Sequence, residues 1–159
     1  MTARQPLALV TGANRGLGLE VCRQLRDRGY RVILTARQAE HGRAAAQELG
    51  VEFVPLDVRD PASVDRLVAE LKRVHPEGLD VVIANAGVAL DGFDGQVAET
   101  TIDTNYFGVL RVVEGVLRCC GPRRTSSWSR AASASATCCR PSWARASTSR
   151  RSRAPSCRR

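Results

Sequence analysis

Leu7-Ala8-Leu9-Val10-Thr11-Gly12-Ala13-Asn14-Arg15-Gly16-Leu17-Gly18-Leu19-Glu20-Val21-Cys22 decides the fold. Four apolar residues make a short strand, and three glycines then carry the chain through a tight turn. Leu17, Val21, Cys22 and Leu25 recur at helical spacing until Gly29 offers a stop. A glycine turn between a strand and a helix leaves backbone N–H groups and the positive end of a helix dipole facing outward. That arrangement attracts phosphate.

Outward from this unit the alternation repeats. Arg31 to Ala36 reads as a β-branched second strand, Ala39 to Leu49 as an Ala-rich second helix ending at Gly50, and Val51 to Leu56 as a third strand. Asp60 can cap a third helix with Pro61 at its first position, and Val64, Leu67, Val68, Leu71 and Val74 share one face. Asp80 to Ala84 is a near-continuous apolar fourth strand, and Ile102 to Leu117 a long fourth helix. Apolar strands without period-2 alternation, each followed by a helix, predict an α/β fold. It is a Rossmann-type doubly wound parallel sheet, incomplete, with about four strands and four helices.

Charge divides the chain at residue 118. Residues 1–118 carry fourteen Lys and Arg against sixteen acids, a balance of −2, whereas residues 119–159 hold ten arginines and no acid. The basic surplus therefore belongs to the tail, and the folded part is not a nucleic-acid binder on charge grounds. The tail contains ten Ser, seven Ala and five Cys but no Leu, Ile, Val, Phe, Met or Tyr, so it is expected to be disordered. An Arg/Ser-rich arm that neutralises nucleic-acid phosphates is the functional alternative for it. No apolar run approaches a membrane span, and no leader-like segment opens the chain, so a cytoplasmic location is expected. Cys119-Cys120 and Cys138-Cys139 are adjacent pairs, a spacing unlike that of zinc ligands, and no metal site is expected.

The pattern Thr11-Gly12-x-x-x-Gly16-x-Gly18 resembles the short-chain dehydrogenase/reductase family, and three later features agree. Asp57-Val58 resembles the family's adenine-contacting pair. Ala84-Asn85-Ala86-Gly87 resembles its N-N-A-G motif with the first Asn replaced by Ala. Asn105 resembles the Asn of its catalytic tetrad. The resemblance implies that Gly12, Asn14, Arg15, Gly16, Leu17 and Gly18 hold the dinucleotide together with Arg37, Asp57, Val58, Asn85, Ala86 and Gly87. A site for NAD normally closes its second strand with an acid that bonds the ribose 2′-OH. Here the strand ends Leu34-Thr35-Ala36-Arg37, and Arg15 lies inside the glycine turn, so two guanidinium groups could converge on a 2′-phosphate. NADP(H) is the expected cofactor, and Gly12-Ala13-Asn14-Arg15-Gly16 resembles carbonyl reductases in particular.

The family's remaining chemistry needs a Ser after strand five and a Tyr-x-x-x-Lys on the next helix. This chain has only Tyr30, Tyr106 and Lys72, all before that place. Two function classes follow. One is an NADPH-dependent carbonyl or alcohol oxidoreductase acting on a small molecule, read here as a truncated or out-of-frame copy; the other is a non-catalytic nucleotide-binding fragment or pseudoenzyme. Shifted codons for Thr125 to Ala134, assuming TCN serines and CGN arginine, give an apolar run and then permit Ser-Ser-Gly, which suggests a frame slip near Arg118 to Gly121. Oligomeric state and substrate identity are left open by the sequence.

Overall fold

A computed structural model describes residues 4–92 and 94–119. The Arg/Ser-rich tail beyond Cys119, with its expected disorder and frame slip, lies outside the described residues. The strands are β1 (Leu7–Val10), β2 (Arg31–Ala36), β3 (Glu52–Pro55) and β4 (Val81–Ile83), and they form one parallel sheet in the order β3-β2-β1-β4. In register, Leu9 lies between Ile33 and Val82. The order means that the chain winds outward from β1 in one direction through β2 and β3, then returns to β1's other side. This reversal opens a crevice at the carboxyl ends of the central strands.

Helices α1 (Gly16–Asp27) and α2 (Ala39–Leu49) cover one face of the sheet, and α3 (Pro61–Val74) the other. The chain then runs through α4 (Gly95–Ile102), a π-helical turn (Asp103–Phe107) and α5 (Gly108–Cys119). Leu7, Leu9 and Ile33 pack against Leu67, Leu71, Val112 and Val116 on one side, while Val10, Val32 and Leu34 pack against Cys22, Ala45, Ala46 and Leu49 on the other. Every residue of β1 is buried, as a central parallel strand requires.

Local chemistry accounts for several boundaries. The Asp60 carboxylate accepts from the Ala62 N–H at 3.0 Å, with Pro61 opening α3, as its sequence indicates. Gly50 adopts a left-handed φ of 66° at the end of α2, and the Val51 N–H reaches back to the Ala46 carbonyl. Other expectations need correction. The outer strands are shorter than their apolar runs, and β4 is half-buried rather than covered on both faces. The single helix expected over Ile102 to Leu117 is instead divided: helical chain begins at Gly95, where the Asp94 carboxylate accepts from the Val97 N–H at 2.8 Å, α4 ends at Ile102, and a π-helical turn separates it from α5. Leu17 does not join the apolar face of α1; it is 81% exposed at the head of the helix. Val74, at the end of α3, is only partly covered, at 40% exposure.

Candidate functional site

The glycine turn owes its shape to contacts that only glycine allows. Gly12 and Gly16 have φ of 63° and 57°, in the left-handed region that disfavours side chains. A Cβ on Gly18 would stand 2.9 Å from both the Ala13 Cα and the Gly12 carbonyl oxygen. Helix and strand therefore meet at a distance that no other residue permits. At Gly16 the reverse holds, since nothing lies within 4 Å of where a Cβ would sit. The turn is thus packed against protein on one side and open on the other.

Thr11 and Asn85 clamp the turn to the end of β4. The buried Thr11 hydroxyl accepts from the Asn85 and Ala86 N–H groups, each at 3.0 Å. The Asn85 side-chain amide donates to the Thr11 and Gly12 carbonyls at 3.1 and 3.0 Å. Four bonds thus join two loops 73 to 75 residues apart. The Ala13 N–H, bonded to the Thr35 carbonyl at 2.9 Å, ties in the end of β2 as well. The sequence reading assigned Thr11 no role beyond opening the motif.

These loops line a cleft of about 860 Å³. Of the residues expected to bind cofactor, Gly12, Asn14, Arg15, Gly16, Leu17, Gly18, Arg37, Asp57, Val58, Asn85, Ala86 and Gly87 all line it. His41, Arg59, Val88 and Thr104 line it too, and sequence reasoning passed over them. Among the described residues the guanidinium groups of Arg15 and Arg37 have no hydrogen-bond or ion-pair partner. The N-terminus of α1 has no side-chain cap and no acid in its first turn. An open glycine turn, an uncapped helix start and two unpaired guanidinium groups on one cleft fit an anionic, phosphate-bearing ligand. Asp57 is more occupied: its carboxylate accepts from the Arg59 N–H at 2.9 Å, and its own N–H donates to the Ser63 hydroxyl at 3.0 Å.

Asn105 does not line this cleft but lies beside it, in the π-helical turn. Its amide donates to the Val88 carbonyl and its oxygen accepts from the Val88 N–H, both at 2.8 Å. A residue expected from the sequence to be catalytic thus splints the loop after β4. The turn itself is closed by an N–H from Gly108 to the Asp103 carbonyl, the longer step that defines a π-bulge. The Asp103 carboxylate is gripped by Arg111 at 2.6 Å and Arg59 at 3.0 Å. Those two guanidinium groups, Arg111 first, hold its carboxyl below the usual carboxylate range.

Elsewhere, the Cys22 thiol lies in the core, and burial pushes its pKa up to about 11. Among the described residues no group of three potential metal ligands comes together, and no helix is long and apolar enough to cross a membrane.

Comparison with known proteins places this geometry. The family model described as short chain dehydrogenase matches residues 6–128, running past Arg118. The NADPH carbonyl reductases 1 and 3 of Mus musculus are 39% identical over 127 residues and 40% identical over 128 residues, in each case 74% of this chain and 46% of the relative. The (+)-neomenthol dehydrogenase of Arabidopsis thaliana is 35% identical over 69% of this chain and 47% of its own length. Among solved structures, an actinorhodin polyketide ketoreductase variant with NADPH superimposes with a TM-score of 0.69 at 35% identity, over 74% of this chain and 48% of that one. The chain spans about half the length of the curated relatives it matches.

Proposed function

The chain belongs to the short chain dehydrogenase family, and from that premise we propose that residues 1–118 form the cofactor-holding part of an NADP(H)-dependent oxidoreductase acting on a small carbonyl or alcohol. The observation that carries the choice of cofactor is the unpaired guanidinium pair of Arg15 and Arg37 on a cleft where β2 ends without an acid. The names of the carbonyl reductases and the NADPH-bearing ketoreductase structure support the same choice.

The backbone N–H groups of the Gly12–Gly18 turn would hold the pyrophosphate, and Arg15 and Arg37 the 2′-phosphate. Asp57 and Val58 would border the adenine, while Asn85, Ala86 and Gly87 would keep the loop after β4 against the turn. When bound, the reduced cofactor supplies a hydride to a carbonyl carbon. The test is charge reversal. In the full chain NADPH should bind about tenfold or more tighter than NADH, and Arg37→Asp should invert that order by removing a partner and adding repulsion. Equal affinities for the two cofactors in the unmutated protein would contradict the proposal.

One observation favours a second reading. Tyr30, Tyr106 and Lys72 are the only tyrosines and lysine in the 159 residues, so these residues contain no Tyr-x-x-x-Lys. Asn105 is also committed at both ends of its amide to Val88. On this reading the chain binds nucleotide without catalysis. NADPH oxidation against a panel of carbonyl compounds separates the two, with no turnover expected from the 159-residue chain.

A further inference from the structure

Strand β4 carries the Asn85 loop to the glycine turn, yet it is the least supported strand of the sheet. It is three residues long and half-buried, and among the described residues it pairs with β1 alone. Beyond its carboxyl end stands the Thr11–Asn85 clamp. Before its amino end stands Asp80. The Asp80 N–H donates to the Leu7 carbonyl at 2.9 Å, and the Asp80 carboxylate accepts from the Leu7 N–H at 2.7 Å. One residue thus satisfies both backbone groups that Leu7 turns toward β4. Leu7 is fully buried, so without that carboxylate its N–H loses its acceptor in a place shielded from water.

The same carboxylate oxygen also accepts from Arg4. Arg4 reaches Glu77 at 3.6 Å, and Arg31, at the head of β2, reaches Glu77 at 3.4 Å and Glu52, at the head of β3, at 2.9 Å. A belt of charge therefore runs along the amino ends of the strands, at the opposite end of the sheet from the cleft. Its ion pairs are partly exposed, and each such pair contributes little. The bond to the buried Leu7 N–H outweighs them, because a buried donor left without an acceptor costs more than an exposed pair gives. Resting on the NADP(H) reading, we propose that Asp80 is a positioning residue for the cofactor. By holding the amino end of β4 it keeps Asn85 on the glycine turn, and so sets affinity from the end of the sheet remote from the ligand. A ligand that needs the clamped turn binds in proportion to the fraction of molecules that have it.

The experiment measures NADPH binding by titration calorimetry, and amide hydrogen exchange without ligand, in the full chain. It compares wild type, Asp80→Ala, Asp80→Asn, Arg4→Gln, Asn85→Ala and the double variant of Asp80→Ala with Asn85→Ala. Asp80→Ala should bind NADPH about tenfold more weakly. Asp80→Asn keeps an acceptor for Leu7 and Arg4→Gln removes only exposed pairs, so both should stay within about threefold of wild type. In Asn85→Ala the clamp is already lost, and adding Asp80→Ala should change affinity by less than about twofold; a loss through overall stability would add in full. In exchange, the Asn85 and Ala86 N–H groups, bonded to the Thr11 hydroxyl, should lose protection in Asp80→Ala. The Ala13 N–H, bonded to the Thr35 carbonyl of β2, should keep its own. Unchanged affinity in Asp80→Ala, full additivity with Asn85→Ala, or equal loss of protection at all three amides overturns the positioning role. If Asp80→Ala does not fold, Asp80→Asn carries the exchange comparison, with the same pattern expected at smaller size. Wild type that binds no NADPH overturns the cofactor reading, whereas the exchange pattern involves no ligand and judges the hold of Asp80 on the clamp by itself.

Discussion

At the scale of single residues, the turn depends on atoms that are missing. Gly18 is buried between the turn and the end of β4, and a methyl there would meet two backbone atoms at 2.9 Å as well as the Asn85 amide. Backbone cannot rotate away as a side-chain tip can. Gly18→Ala should therefore lower unfolding free energy by about 1–3 kcal/mol and displace the Asn85 clamp, read as a drop in denaturant midpoint with weakened NADPH binding. Gly16→Ala serves as the contrast, because its only penalty is a left-handed φ in open space. Equal effects at both positions would show that conformation, not close approach, makes the turn. The spacing of these glycines was visible in the sequence. Their two different physical reasons were not, because each depends on what the fold brings alongside.

At the scale of elements, the stretch after β4 departs furthest from what the sequence suggests. Gly95, Thr100 and Thr101 are poor helix formers, so propensity gives little sign of the helix that starts at Gly95. The cap at Asp94 and the π-helical turn overrule that preference. The turn is anchored by partners far away in sequence: Arg59 lies 44 residues before Asp103, and Val88 lies 17 before Asn105. Periodicity sees only near neighbours, whereas the Asp60-Pro61 start of α3 is local and was legible. The Asp103 carboxyl is held low by Arg111 and Arg59. A depressed carboxyl contributes stability that is present above its unfolded value and is lost as pH falls through its folded one. Wild type should thus lose more stability than Asp103→Asn between about pH 5 and about pH 3, measured by urea midpoints at each pH. Parallel losses would mean that the Arg pair does not stabilise the turn.

At the scale of the whole molecule, the sheet separates two apolar cores, and among the described residues its β4 edge is open. Among the described residues β4 pairs only with β1, and its three residues are half-buried. An apolar edge with unpaired backbone groups is a template for intermolecular pairing. We expect the full chain to self-associate with rising concentration in sedimentation. The Cys22 thiol, buried and pushed up to about 11, reports whether the core survives. Slow alkylation relative to the urea-unfolded chain would mean association of folded units. Rapid alkylation at every concentration would mean a molten core. A sharp thermal transition of a monomer, raised by NADPH, would contradict both. The Thr11–Asn85 clamp also sets an order of events in time. Its two sides are 74 residues apart, so the phosphate-holding turn cannot take its final form until β1, β2 and β4 have come together. Closing so long a loop comes late in folding. A ligand that recognises only the finished turn has little to hold in the folding transition state. It should leave the refolding rate unchanged and act as a brake on unfolding.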